Sequence, residues 1–526
     1  ILPLAESLLK EVESINGIPT DILELFYYLP GLMGLHHARY LSAEPHYRRC
    51  VDAVERLDGQ DSASLARALS NLATLLQTTN RLAEAEPLMM RALTITEVCY
   101  GKNHPIVAIC LNNLATMLQA TNRLAEAESL LRRSLAIAEA NYGASHAEVA
   151  VPLSNLAQLL QSGNRTDEAE TLMRRALAID GETHGANHPN VAIRLGNLAT
   201  LLQATNRLPE AERLMRWALA IAEANFGPDH PAVAINLSNL GSLLQETNRL
   251  TEAEALARRA LAIHEATEGV DHPNVARSLG NLGGLLQATN RLTEAEPLFR
   301  RALAISESSY GSNHPEVARD LANLAGILGK TSRHVAAEPL IKRSLSIIEA
   351  SYGGSHPEVA NCLSNLASLL LATNRESEAE PMFTRALAID EGSFGINHPR
   401  VARSLGNLAS ILYSMRRMAE AEPLLRRALS IDEATYGANH PDVARDLNNL
   451  ASLLQATNRP EEAELLMRRQ LGIILDFTRA TGHQHPHLDS AIANYVQLLV
   501  SIGRSEAEIQ AILLELEPEF VPDSLD

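Results

Sequence analysis

Along most of the chain apolar residues recur at i, i+3, i+4 and i+7, the spacing of a single helix face. The stretch from Gly437 to Gly482 shows the local logic. Gly437 closes one helical pattern and suits the left-handed residue that ends a helix. His440-Pro441 opens the next, with proline at a first helical position where its missing N–H costs nothing. Val443, Ala444, Leu447, Leu450, Ala451, Leu453 and Leu454 then form an apolar stripe, which predicts a helix, A. Thr457-Asn458-Arg459 interrupts the stripe as a tight turn. A second helix, B, begins acidic with Glu461, Glu462 and Glu464 and turns basic at Arg468 and Arg469, a polarity that suits the helix dipole. The unit is predicted to be a helical hairpin.

The hairpin repeats. Asn-Leu pairs begin at Asn71, Asn113, Asn155, Asn197, Asn239, Asn281, Asn323, Asn365, Asn407 and Asn449, each step being 42 residues. An eleventh unit follows at Asn494, displaced by three residues through an insertion before Gly482. A degenerate unit precedes the series, because Arg39, Ala43-Glu44-Pro45 and Arg48-Arg49 foreshadow Arg81, Ala85-Glu86-Pro87 and Met90-Arg91. No room is left for a separate globular domain between residues 22 and 516. A lone hairpin cannot bury its stripe, so the units must stack on one another. Three segments are expected: an N-terminal helix at 1–21, the array at 22–516 and an acidic tail at 517–526. In the first, Ala5 to Lys10 reads as a helix B whose helix A is missing, as though the array were excised from a longer chain.

A period near 42 also allows HEAT or armadillo units, and the residues decide between them. Aligned on helix A the unit reads N-L-A-x-L-L-x-x-x-N-R-L-x-E-A-E-x-L-x-x-R-A-L. In the first clear copy Leu72, Ala73 and Leu76 hold the helix-A positions, and small Ala85 and Ala92 those of helix B. This resembles the tetratricopeptide repeat. The period, with the run G-x-x-H-P-x-V-A-x-x-L-x-N-L-A, is similar to the variant in kinesin light chains and bacterial tandem arrays. The resemblance implies an all-α, right-handed superhelical solenoid of about eleven to twelve helical hairpins. It also implies a scaffold that holds an extended or helical partner segment in its concave groove. Nothing matches the long heptad segment of a heavy-chain-binding coiled coil. The near-identity of the units looks more like bacterial arrays, so a second reading is the sensing or autoinhibitory arm of a multidomain signalling protein, a STAND-type ATPase or an effector nuclease or protease. A third is a plain structural spacer.

Composition narrows the chemistry. A net charge of −18 argues against general nucleic-acid binding, which requires Lys and Arg to displace counterions. Four scattered cysteines make neither a disulfide framework nor a CxxC zinc site, and suit a reducing, cytoplasmic setting. No apolar run reaches membrane-spanning length. Gly329-Lys330-Thr331 looks like the end of a phosphate loop, but Leu324 stands where that loop needs glycine and the triplet falls in a helix A–B turn. His104, His146, His188, His230, His272, His314, His356, His398, His440 and His485 recur at helix starts, which suits capping or packing. His483, His485 and His487 are the densest histidine cluster, without a nearby cysteine or carboxylate pair to complete a zinc site. No nucleophile arrangement has supporting context. The expected protein is a non-enzyme with no cofactor and no metal.

The recurrent helix-A asparagine is the informative residue, because asparagine is unfavourable in mid-helix. In tetratricopeptide repeats the matching position faces the concave groove, and in peptide-binding members it bonds the ligand backbone. The ten asparagines from Asn71 to Asn449 therefore either grip a partner or bond one another in a ladder that stiffens the stack. Three positions after nine of the ten lies a small residue (Thr74, Thr116, Thr200, Ser242, Gly284, Gly326, Ser368, Ser410, Ser452). Four before it, on the same face, the units differ: Arg67, Ile109, Val151, Ile193, Ile235, Arg277, Arg319, Asn361, Arg403 and Arg445. This wall changes from aliphatic to cationic over a constant frame. It predicts a partner segment with apolar residues at one end and Asp or Glu at the other, unless the variation is drift at solvated positions.

Overall fold

A computed structural model describes residues 40–516. The expected helix at 1–21, the first residues of the array at 22–39 and the acidic tail at 517–526 fall outside the described residues. The described residues form 23 helices and no strand. Tyr40–Asp58 takes the place of a helix B, and eleven hairpins follow, from Ala63–Thr78 with Leu82–Tyr100 to Leu488–Ser501 with Glu506–Leu516. The regular helix A has 16 residues and the regular helix B 19. By Cα packing the chain divides into two compact units. One holds residues 1–201, 213–241 and 254–356, the other 202–212, 242–253 and 357–526.

Both units are layered in the same way. Within each, a helix A packs on the helix B that follows it and a helix B packs on the next helix A, as for Pro315–Lys330 with His334–Tyr352 and Glu376–Phe394 with Pro399–Ser414. In the second unit Val401, Ala402 and Leu405 of Pro399–Ser414 meet Ala428 and Ile431 of Met418–Tyr436, with Leu387 of the preceding helix B closing the cluster. In the first, Val275, Ala276 and Leu279 meet Ala302, Ile305 and Leu261 in the same roles. One buried leucine of this kind is worth about 1.5–3 kcal/mol. Every layer shares its core with a neighbour, so no hairpin is complete alone.

The turns explain two repeated residues. At the end of Pro441–Ala456, Asn458 adopts φ +59°. Arg459 N–H reaches Leu454 O at 2.9 Å and Asn458 N–H reaches Gln455 O at 3.1 Å. These two bonds are a Schellman pair, and asparagine tolerates the left-handed conformation it requires. At the other end of the hairpin Gly437 has φ +83° and ψ 167°. That is not the left-handed helical region expected for it but a more extended one that only glycine occupies readily. Asparagine therefore serves one turn, while glycine is required at the other.

Arginine straps join successive hairpins. Arg417 of the turn pairs with Glu420 three residues on and with Glu380 of the preceding helix B, both at 2.7 Å. Arg123 makes the same bridge to Glu126 and Glu86 in the first unit. Further along helix B, Arg427 pairs with Glu391 at 2.7 Å and donates to Ile396 O at 2.8 Å. Exposed pairs contribute about 0–1 kcal/mol each, so the straps set register more than they set stability.

Candidate functional site

Nine of the ten repeated histidines lie at helix starts, as the sequence predicts, and their work there is structural; His485 does not, because the next helix begins at Leu488 with His487 in the N-cap place. His104 Nδ1 accepts from Ile106 N–H at 3.2 Å, and its ring stacks on Tyr100 with centroids 4.8 Å apart. His440 does the same for Asp442 N–H and stacks on Tyr436. Each ring thus ties the end of one helix B to the start of the next helix A. Replacing His104 with alanine should cost about 1 kcal/mol, the usual value of an N-cap. The asparagine variant, which restores a capping acceptor, should recover most of that in chemical denaturation.

His485 is half-buried, and this desolvation pushes its pKa down to about 4; it lies edge-on to Phe477 at 4.7 Å. Its Nδ1 accepts from His487 N–H. Among the described residues no group of three His, Cys, Asp or Glu is placed to hold a metal ion. Lys330 ends the helix Pro315–Lys330, so Gly329-Lys330-Thr331 sits at the negative end of the helix dipole, where an anion is disfavoured.

The helix-A asparagines are at least partly accessible in every layer, and Asn239, Asn281 and Asn365 are exposed. Asn155 Nδ2 donates to Asn112 Oδ1 of the preceding helix A at 2.8 Å. Among the described residues the other nine amides of the series have no such side-chain bond. Apart from Asn448, the position that Asn112 fills is occupied elsewhere by short residues, such as Gly280 and Gly406, which cannot reach a neighbour's amide. The hydroxyls three residues after the asparagine turn back on their own helix, as when Thr200 Oγ1 donates to Gly196 O at 3.0 Å and Ser452 Oγ to Asn448 O at 2.8 Å.

The variable wall differs from layer to layer. In the first unit Ile109, Val151, Ile193 and Ile235 are 59%, 47%, 57% and 48% exposed, an unusual amount of aliphatic surface in successive layers. Arg277 donates to Asn274 Oδ1 at 2.6 Å, whereas Arg319 is engaged by Glu316 at 2.5 Å and by Asp320 at 3.3 Å. In the second unit Arg445 serves three carboxylates: Asp442 at 2.5 Å, Asp432 at 3.1 Å and Asp446 at 3.2 Å. Arg403 is different. It donates to Asn361 Oδ1 at 3.1 Å and has no ion pair among the described residues. Desolvation, and then the neighbouring Arg400, lower its pKa.

Arg403 and Arg445, with Asn407 and Asn449, line one groove of about 510 Å³ in the second unit. Gly406, Ser410 and Ser452 are among its other lining residues, as is Tyr413. Tyr413 is not among the residues singled out in the sequence. Its signal was there, since the place six residues after the asparagine is glutamine in most units and tyrosine only here. Also missed were polar pairs buried between a helix B and the next helix A, such as Asp180 with Arg194 at 2.8 Å and Ser404 with Asp390 at 2.6 Å. They recur at one offset but change identity in every layer, so a search for constant motifs passes over them.

Stacked hairpins with small residues at the A–B contacts, joined through recurrent turns, define a helical-repeat scaffold. The tetratricopeptide repeat family matches residues 35–97, 64–140, 111–182, 148–224, 218–266, 233–308, 274–337, 316–392 and 394–473, and the chain belongs to that family. Such repeats generally serve protein–protein interaction. Among solved structures, a putative kinesin light chain from Podosopora anserina with nearly identical TPR-like repeats is similar at 26% identity. The match covers 39% of this chain and 98% of that one, with a TM-score of 0.34. BtubC (BKLC) from P. vanneervenii is similar at 24% identity, over 47% of this chain and 92% of that one, with a TM-score of 0.35. No curated protein sequence matches the chain. No helix among the described residues is long and apolar enough to cross a membrane.

Proposed function

We propose that this protein is a non-catalytic scaffold that binds protein or peptide segments on its helix-A face, and that the groove at Arg403 takes an acidic one. The observation that carries the reading is Arg403 itself. It is a guanidinium without a carboxylate partner, in a concavity that already disfavours its charge. An incoming Asp or Glu would supply the missing partner through a charge-assisted hydrogen bond. The amides of Asn407 and Asn449 beside it offer both donors and acceptors to a peptide backbone. In the first unit the exposed run of Ile109, Val151, Ile193 and Ile235 suits apolar side chains instead.

The test is a selection of displayed random peptides against the full chain. Peptides recovered at low salt should be enriched in Asp and Glu over the input library. Recovery without acidic enrichment would remove the assignment of the Arg403 groove.

A further inference from the structure

One layer of the second unit breaks a rule that five others keep. At the junction between a helix B and the next helix A, paired positions fourteen residues apart carry buried polar groups that satisfy one another. They are Thr96 with Cys110, Asp180 with Arg194, His264 with Ser278, Ser306 with Asp320, and Asp390 with Ser404. In each a donor meets an acceptor, as burial demands. The next layer places Asp432 opposite Asp446. Both are 1% exposed, and two carboxylates have no proton to share between them unless one is retained.

We propose that Asp432 and Asp446 form a proton-binding joint: in the closed layer the two carboxyls share one proton, and its release loosens the contact between Met418–Tyr436 and Pro441–Ala456. Both carboxyls converge on one guanidinium nitrogen, Arg445 Nη2, at 3.1 Å from Asp432 and 3.2 Å from Asp446. Asp432 Oδ1 and Asp446 Oδ2 are buried with no other partner, so a doubly ionised pair would be badly solvated. Arg445 cannot neutralise both. Its guanidinium bridges Asp432, Asp446 and Asp442, so one cation faces three carboxyls. The other nearby charges do not change that balance. Glu433 is held by Arg469 of the following helix B, burial lowers the pKa of His440 and raises that of Tyr436, favouring the neutral form of each, and Arg403 of the preceding helix A reaches Asp442 only at longer range. The joint does not depend on what the groove binds.

Burial first, and then the Asp446 carboxyl, raise Asp432 to about 8, and burial raises Asp446 as well. The closed layer therefore holds a proton that the opened layer gives to solvent. Opening should become easier as pH rises from the ordinary carboxylate range to about 8, and level off above that. The limit for one proton is roughly tenfold per pH unit.

Hydrogen exchange read by mass spectrometry on the full chain, corrected for the intrinsic rate, tests this. Between pH 5 and pH 7.5 the protection of peptides from 418–456 should fall at least tenfold, while peptides from 82–120, whose buried pair Thr96 and Cys110 stays uncharged over this range, hold steady. In Asp446→Asn an amide donor faces Asp432 and the fall should vanish. Asp432→Ser, which imitates the pairing at 306 and 320 and removes the second carboxyl, should shrink the fall if the first variant folds poorly. Protection of 418–456 that ignores pH in the native chain would overturn the proposal, as would an equal fall in a folded variant.

Discussion

Leucine in place of Gly283 should lower stability by roughly 1–3 kcal/mol, the usual cost of overpacking a closed core. A Cβ at Gly283 would already lie 2.8 Å from Phe299 Cζ and 2.9 Å from Cε1, and the ring has nowhere to go, being 3% exposed. At this contact of a helix A with its helix B most other repeats carry alanine, and Gly241 is the other glycine. The corresponding Ala409, beside Leu425, should respond to leucine in the same way. Adding Phe299→Ala to Gly283→Leu returns volume to the site and should recover at least half of the loss. Fluorescence of Trp217, the single tryptophan, follows unfolding in the same unit. No change on adding leucine at either position would contradict its place at the tight contact.

Reversing one charge should weaken an acidic peptide at least tenfold. Arg403→Glu puts a carboxylate where the proposed ligand's carboxylate would sit, while the affected residue makes only a neutral contact to Asn361 at home. Much of the attraction disappears with the cation, so the salt dependence of binding should flatten too. The sequence alone recommends reversing Arg403 and Arg445 together, but the structure separates them. Arg445 holds Asp432, Asp442 and Asp446, and a glutamate there would add a fourth carboxyl to a crowded layer. Arg403→Glu is the clean variant, and fluorescence anisotropy of a labelled acidic peptide at two salt concentrations measures both effects. Equal affinity in a folded variant would place the acidic contact elsewhere.

The hairpin, its turns and its stacking were legible because they depend on residues that recur in one place: Asn458 where φ is positive, His440 at a helix start, Ala402 and Leu405 in the core. Repetition makes such local requirements visible. The partners of the arginines were not legible. Arg277, Arg319, Arg403 and Arg445 occupy one aligned position, yet the first leans on Asn274, the second and fourth are engaged by carboxylates, and the third meets only Asn361. What distinguishes them is whether residues one to three places away are acidic, and how a neighbouring helix presents its own side chains. Periodicity is silent on that. The Asp432–Asp446 contact was hidden for the same reason, since it joins two helices through a position that every layer fills differently.

The most direct measurement of the central claim locates a bound peptide. A photocrosslinking phenylalanine analogue in place of Tyr413, which is 40% exposed on the groove wall, can be compared with the same analogue in place of Leu465, 70% exposed on a helix B of the same unit. An acidic peptide taken from the selection should crosslink at position 413 and not at 465, and Arg403→Glu should abolish the product. Crosslinking at 465 with none at 413 would put the partner on the helix-B face and contradict the groove.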